Sequence, residues 1–287
     1  MKLVMTLLVK NEARILEDNI RFHAEQGVDA FLVMNNGSTD QTDDLLADLS
    51  HELDIHVVQN SSSDYLQSQW MTSLAHQAVS QLHADLVISN DADEFWVCSS
   101  GGDLKSKLRN RDAVVTVQRY NYVQSKEALQ SDRPYWQADA KVVNPVLYVK
   151  NDQLERTRIS MPLVKISPKV VVNPRGLLKI KGGNHRARHL RFWASRNEPG
   201  IEVHHYPIRG YAHFAENIQH RASLLKANPE TRMGDHYRRW VKLMDEGRLR
   251  EEFDRMSICE NEIDILQRIG VIRRLQSPIA DVVASHH

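Results

Sequence analysis

Cysteine is scarce in this chain: Cys98 and Cys259 are the only two, too few for a disulfide framework or a cysteine-only zinc site. A reducing, cytoplasmic setting is the expectation. Charge of one sign is also missing, since Lys plus Arg and Asp plus Glu both number 37, whereas a nucleic-acid binder carries a basic surplus. Nucleic acid is therefore disfavoured as the main partner. No apolar run approaches the about 20 residues that span a bilayer. Leu3 to Val9 is far shorter and leads into Lys10-Asn11-Glu12 without a small-residue cleavage site, so it reads as a buried first strand and not as a signal segment. Internal repeats and low-complexity tracts are absent too. What is present is a 287-residue chain of ordinary globular composition, with room for one large or two modest domains. Histidine is abundant, and Ser285-His286-His287 reads as a tail.

The first hundred residues alternate apolar runs with helical periodicity, the pattern of βα units on a mostly parallel sheet. Strands are expected at 3–9, 30–34, 55–58 and 86–88, with helices over 12–26, 41–49 and about 70–82. Leu16, Ile20 and Ala24 make the first helix's apolar stripe, and Gly27 ends it. Beyond residue 100 the strand-like segments 113–122, 141–150 and 169–181 lack clear intervening helices, which predicts a mixed, partly antiparallel half. From Ala212 onward the chain becomes charged and helical. The expected organisation is thus 1–211 as one domain, divided into a nucleotide-binding half (1–100) and a mixed-sheet acceptor half (101–211), followed by a helical region (212–287).

Three segments fall where open α/β sheets place ligands, at strand carboxyl ends. Asp91-Ala92-Asp93-Glu94 follows the fourth strand, and two carboxylates at i and i+2 on a tight turn can share one hard cation with the phosphates of a nucleotide. An Asp-X-Asp alone is as readily a helix cap. Asn35-Asn36-Gly37-Ser38-Thr39-Asp40 follows the second strand and suits either a nucleoside contact or a capped turn. Asn11 and Glu12 follow the first strand, where they can equally begin a helix.

Taken in order, Lys10-Asn11-Glu12, Asn35-Asn36-Gly37-Ser38-Thr39-Asp40 and Asn90-Asp91-Ala92-Asp93-Glu94-Phe95 resemble glycosyltransferase family 2, with its GT-A nucleotide-diphospho-sugar transferase fold. The resemblance covers residues 1–100 well. A looser continuation joins Gly182-Gly183-Asn184-His185 to His204-His205-Tyr206-Pro207-Ile208-Arg209-Gly210, where Gly210 stands in place of a more usual Ser. It implies an α/β fold whose mostly parallel, Rossmann-like sheet is flanked by helices. It also implies Asp91 and Asp93 as the metal motif, Asp93 ligating directly and Asp91 serving the donor ribose or the metal through water. Asn11, Glu12, Asn35 and Asp40 match nucleotide-side positions, although many members carry Asp at the place of Asn35. His205 matches a late metal ligand, with His185 and His204 as rivals, and an imidazole among carboxylates favours Mn²⁺ over Mg²⁺.

The implied activity is an inverting, metal-dependent transfer of a sugar from a nucleotide-diphosphate donor to a hydroxyl of a carbohydrate or lipid-linked glycan, in bacterial polysaccharide or lipopolysaccharide synthesis. The expected location is cytoplasmic, with peripheral contact at the inner membrane surface. Arg209 is the candidate diphosphate contact. Candidates for the base that takes the acceptor proton are Asp139, Glu94, Asp152, Glu202 and His185, with Asp139 preferred because Tyr135 and Trp136 beside it can stack on a sugar. The competing readings are a catalytically silent nucleotide-sugar-binding protein and a sugar-nucleotide pyrophosphorylase. The latter expects a Gly-rich loop where Lys10-Asn11-Glu12 stands.

Overall fold

The computed structural model describes residues 1–60, 62, 66–99, 101–131, 133–147, 160–230, 234–277 and 279–284. Asp152, the end of the expected 141–150 strand, and Ser285, His286 and His287 lie outside the described residues. The amino-terminal half alternates β1 (Leu3–Val9), α1 (Ala13–Glu25), β2 (Ala30–Asn35), α2 (Thr42–Leu49), β3 (Ile55–Gln59), α3 (Gln67–Leu82) and β4 (Leu86–Asn90). Strand β1 is buried on both faces. Leu3, Met5 and Leu7 meet the Leu16–Ile20–Phe22 stripe of α1, while Val4 meets Leu74 and Ala78 of α3 on the other side. Full burial of each such large side chain stabilises the fold by about 1.5–3 kcal/mol.

The chain continues through β5 (Glu94–Cys98), β6 (Val114–Val123), α4 (Lys126–Gln130), β7 (Ala140–Val142), β8 (Lys169–Val172), β9 (Leu177–Ile180), β10 (Ala187–His189) and β11 (Arg196–His205). Helices α5 (Tyr211–Ala227), α6 (Asp235–Asp245), α7 (Leu249–Met256) and α8 (Glu260–Arg268) follow, then β12 (Ile272–Arg274) and α9 (Ala280–Ala284). The main sheet runs β12-β7-β6-β8-β4-β1-β2-β3, with β11 paired to β6 and β5. Strands β4, β1, β2 and β3 are parallel, and β8 lies antiparallel between β4 and β6. The mostly parallel, helix-flanked α/β sheet expected from the sequence is therefore present.

Three expected segments differ. The acidic segment is a tight turn that feeds directly into β5, which pairs antiparallel with β11 and brings Glu94 opposite His205. The 169–181 strand is two strands, broken at Asn173-Pro174-Arg175-Gly176, where proline withholds a ladder donor and Gly176 takes φ +101°. The 212–287 region also supplies β12, which pairs with β7 at the sheet edge. Its helices α5, α6 and α7 bury Phe214, Ile218, Trp240 and Phe253 together.

Register places the site. Val9 lies beside Asn35, and Leu7 beside Asn90, so β1, β2 and β4 end on one edge. The loops 10–12, 36–41 and 91–93 share that rim.

Candidate metal and nucleotide site

The acidic turn is held from below by buried amides. Asn19 of α1, wholly buried, donates from Nδ2 to the carbonyls of Ala92 (2.9 Å) and Glu94 (2.8 Å). Asn90 Nδ2 donates to the same Glu94 carbonyl (3.0 Å), and its Oδ1 accepts from Trp96 Nε1 (2.8 Å). His23 completes the bracket. Its Nδ1 donates to the Asn19 carbonyl (2.7 Å) and its Nε2 accepts from the Trp96 amide (3.0 Å), which requires a neutral ring. Burial pushes the His23 imidazole down to about 3, in keeping with that state.

Above this bracket, Asp93, Glu94 and His205 each offer a ligand atom, all within 4.8 Å of one another. His205 Nε2 stands 3.3 Å from Asp93 Oδ2. The ring's other nitrogen, Nδ1, lies 2.7 Å from Asn121 Oδ1, and Asn121 Nδ2 donates to the Pro162 carbonyl (2.7 Å). The amide orientation fixes Nδ1 as the donor, so a neutral His205 aims its Nε2 lone pair at a carboxylate. That juxtaposition is repulsive unless a proton or a cation lies between the two. The donor set, one imidazole nitrogen with carboxylate oxygens, fits a divalent cation and suits Mn²⁺ better than Mg²⁺. Burial works to raise Asp93, but its contact with His205 and the nearby cations Arg209 and Lys169 hold its carboxyl below the usual range.

Two cations unmarked in the sequence analysis balance the rest of the turn. Lys169, wholly buried at the head of β8, pairs with Asp91 and lies 2.9 Å from Glu94 Oε2, an ion pair without hydrogen-bond alignment. Arg119 of β6 donates to Glu94 Oε1 (2.5 Å). Burial raises Glu94, and Lys169 and Arg119 overcome it and lower its carboxyl. Asp91 is pushed upward by burial and by Glu94 and Asp93, against the pull of Lys169. Its Oδ1 also accepts from Asn184 Nδ2 (3.3 Å). Glu94 is thus a buried anchor and a potential inner ligand. Clamped between two cations, it does not suit the role of a base facing an acceptor.

Around the rim, Asn11 and Asp40 lace the first two loops together. The Asn11 amide donates to Ser38 Oγ (3.0 Å), and Asn11 Oδ1 accepts from the Thr39 amide (2.7 Å). Asp40 accepts from the amides of Ala13 (3.2 Å) and Thr42 (3.0 Å), capping the starts of α1 and α2 at once. Asn35 is wholly buried, donating to Asp43 Oδ1 (2.6 Å) and accepting from the Ser38 amide (3.0 Å), so its side chain shapes the turn and does not face a ligand. Glu12 projects beside the acidic turn and accepts from Arg209 Nη2 (2.9 Å), which also donates to His213 Nε2 (2.6 Å). Burial chiefly, aided by Asp93 and Asp91, raises Glu12 against Arg209. Burial and the adjacent Arg209 push His213 down to about 3, so it accepts as a neutral ring.

The remaining candidates lie elsewhere. Asp139 is gripped by Arg274 Nη1 (2.9 and 3.1 Å) on the β7–β12 edge, and among the described residues no hydrogen bond or ion pair joins it to the acidic turn. Tyr135 donates to Asp18 Oδ2 (2.6 Å) and its ring packs against Phe95 and Tyr206, so it belongs to the core and not to a sugar platform. Trp136 is partly buried against the same cluster. His204 and Glu202 point to the opposite face of β11 from His205. There His204 Nε2 lies 3.1 Å from Glu202 Oε2, and this bond together with Lys141 pulls Glu202 down to about 2. His185 donates from Nδ1 to the Pro168 carbonyl (3.0 Å), and burial beside Lys169 and Arg119 pushes it down to about 4.

Neither a family model nor a curated protein sequence matches the chain. Solved structures do. One is Staphylococcus aureus TarS 1–349 in complex with UDP-GlcNAc, at 13% identity and a TM-score of 0.44, covering 89% of this chain and 72% of that one. Another is Mycobacterium tuberculosis glucosyl-3-phosphoglycerate synthase with Mn²⁺, UDP-glucose and phosphoglyceric acid, at 15% identity and a TM-score of 0.39, covering 78% of this chain and 79% of that one.

Proposed function

We propose that the chain is a divalent-metal-dependent glycosyltransferase that moves a sugar from a nucleotide-diphosphate donor to a hydroxyl acceptor, with inversion at the anomeric carbon. The observation that carries this is the cluster of Asp93, Glu94 and His205 on the rim where β1, β2 and β4 end. Asp93 and His205 would hold the cation. A divalent ion bound there supplies counter-charge for the leaving nucleoside diphosphate.

The chain's own residues do the rest. Arg209, set by Glu12 and His213, offers a guanidinium beside Asp93 for the diphosphate oxygens. Lys169 and Arg119 neutralise Asp91 and Glu94, so the turn keeps three carboxylates close without a ligand. The acceptor hydroxyl oxygen then bonds to the anomeric carbon on the face opposite the departing phosphate oxygen and releases its proton to solvent, while the carbon–oxygen bond to the diphosphate breaks and its electron pair leaves with the nucleoside diphosphate.

A thermal-shift screen of UDP-, GDP- and dTDP-sugars with and without Mn²⁺ tests this reading, because a ligand bound only by the folded state raises its apparent stability. One nucleotide class is expected to raise the melting temperature in a metal-dependent way. Asp93→Ala is expected to abolish that increment while melting as a folded protein. A metal-independent shift, or one that survives Asp93→Ala, would point instead to a silent nucleotide-binding protein.

A further inference from the structure

Charge is unevenly distributed in this neutral chain. From Ser160 to Asn197 there are nine lysines and arginines and no aspartate or glutamate, so the remainder carries the compensating acidic excess. Lys169, Arg175 and Arg196 of this segment are paired with carboxylates brought from other elements. Among the described residues no carboxylate lies within ion-pair distance of Lys179, Lys181, Arg186 or Arg188. These four belong to the β9–β10 hairpin, a two-stranded sheet separate from the main one.

The hairpin sorts its residues by face. Lys179 sits opposite Arg188 in the register, and alternation puts Lys181 and Arg186 on that same side, all four exposed, while Ile180 and His189 are buried. Just beyond, Phe192 and Trp193 are 73% and 70% exposed, among the most exposed large apolar side chains described. Their turn is not loose. The Ala113 amide donates to the Ala194 carbonyl (2.9 Å), and the Leu190 amide donates to that of Gly176 (2.8 Å). His189 accepts from the Arg191 amide (2.9 Å) while donating to the Asn173 carbonyl (3.0 Å). Two exposed aromatic rings in the turn that follows a hairpin with four unpaired cations give this segment two complementary demands, apolar contact and negative charge.

From this we infer that the exposed face of the β9–β10 hairpin, with the Phe192–Trp193 turn, docks on an anionic lipid bilayer. The cations meet acidic headgroups and the rings sit at headgroup level. A soluble polyanion would satisfy the lysines and arginines but leave the rings in water. The hairpin's tip carries Asn184, bonded to Asp91, so the docked surface borders the acidic rim. The inference rests on this face alone and is independent of the transferase reading.

Sedimentation of the full chain with vesicles of phosphatidylcholine, or of phosphatidylcholine mixed with phosphatidylglycerol, tests it. Binding is expected only to the mixed vesicles, weakening as salt rises. Lys179→Gln and Arg188→Gln are each expected to weaken it about fivefold, the value of one charge near an anionic surface. Phe192→Ser with Trp193→Ser is expected to remove the part of the binding that survives high salt. All these positions are exposed, and circular dichroism melts confirm that the variants fold. Equal binding to both vesicle types, no binding to either, or charge variants that bind like the parent would overturn the proposal. A dimer in analytical ultracentrifugation that Trp193→Ser dissolves would also overturn it, assigning the face to a second copy of the chain.

Discussion

His205 is aimed at Asp93 by a relay of fixed donors and acceptors: the Pro162 carbonyl orients Asn121, and Asn121 orients the imidazole. The same relay distinguishes His205 from its rivals. His185 spends Nδ1 on the Pro168 carbonyl beside two cations, and His204 lies across the strand. His205→Ala is therefore expected to weaken Mn²⁺ binding at least tenfold, of the order found when a metal site loses one supporting group, and His185→Ala to leave it nearly unchanged. Calorimetric titration of Mn²⁺ checks both, and equal losses would move the imidazole ligand elsewhere. At this scale the sequence was legible where chemistry is local. Asp91 and Asp93 are two residues apart on one turn, so their common place on the rim could be read directly, whereas Asp93 is grouped with Glu94 and His205 and Asp91 is paired with Lys169. Lys169, Arg119 and Asn121 could not, because each reaches the site across a strand pairing between segments far apart in the chain. A lysine at the head of the Val170-Val171-Val172 run was the one available signal, since a buried charge there demands partners.

Helix α1 does more than cover the sheet. Its outer turns follow the usual apolar stripe, yet Asp18, Asn19 and His23 are also buried; Asn19 grips the acidic turn and His23 holds the Trp96 amide of the strand that follows it. Asn19→Ala takes the side-chain donor from the Ala92 carbonyl and one of two from the Glu94 carbonyl, so it should cost about 1–3 kcal/mol in urea unfolding. It should also weaken Mn²⁺ binding. Ile20→Val, a neighbouring core truncation expected to cost about 0.5–1.5 kcal/mol, separates the effects: it lowers stability without touching the turn and should leave metal affinity intact. If both variants lose metal affinity in proportion to stability, the Asn19 bracket is only structural. The helices and strands of the first ninety residues were readable from periodicity because each one buries a regular face. The second half was harder. The Asn173–Gly176 break was hidden inside an apolar run, and β12 was hidden in a charged segment because three edge residues pair only with distant β7.

For the whole molecule, the buried histidines set an acid limit earlier than the carboxylates do. His23 and His213 are held neutral by burial, with folded values of about 3 against 6.5 when exposed, and His185 and His220 near 4. A group lowered on folding binds its proton more readily in the unfolded chain. Its contribution is therefore complete above 6.5 and is lost as pH falls from 6.5 toward the folded value. Glu252 behaves in the same sense but lower. Burial opposes it, yet Arg255 and Arg239 hold it near 2 against 4.5, so its contribution is lost only below 4.5. Urea unfolding across this range should show stability already declining between 6.5 and 4.5, before the α5–α7 bundle loses its Glu252 pairing. His23→Gln, which keeps a donor and an acceptor but no titration, should make that upper decline shallower, while Glu252→Gln should flatten only the lower one. A flat profile down to 4.5 in the parent would mean that these imidazoles are already solvated in the folded protein. The His23 bracket beneath the acidic turn would then not be closed to water.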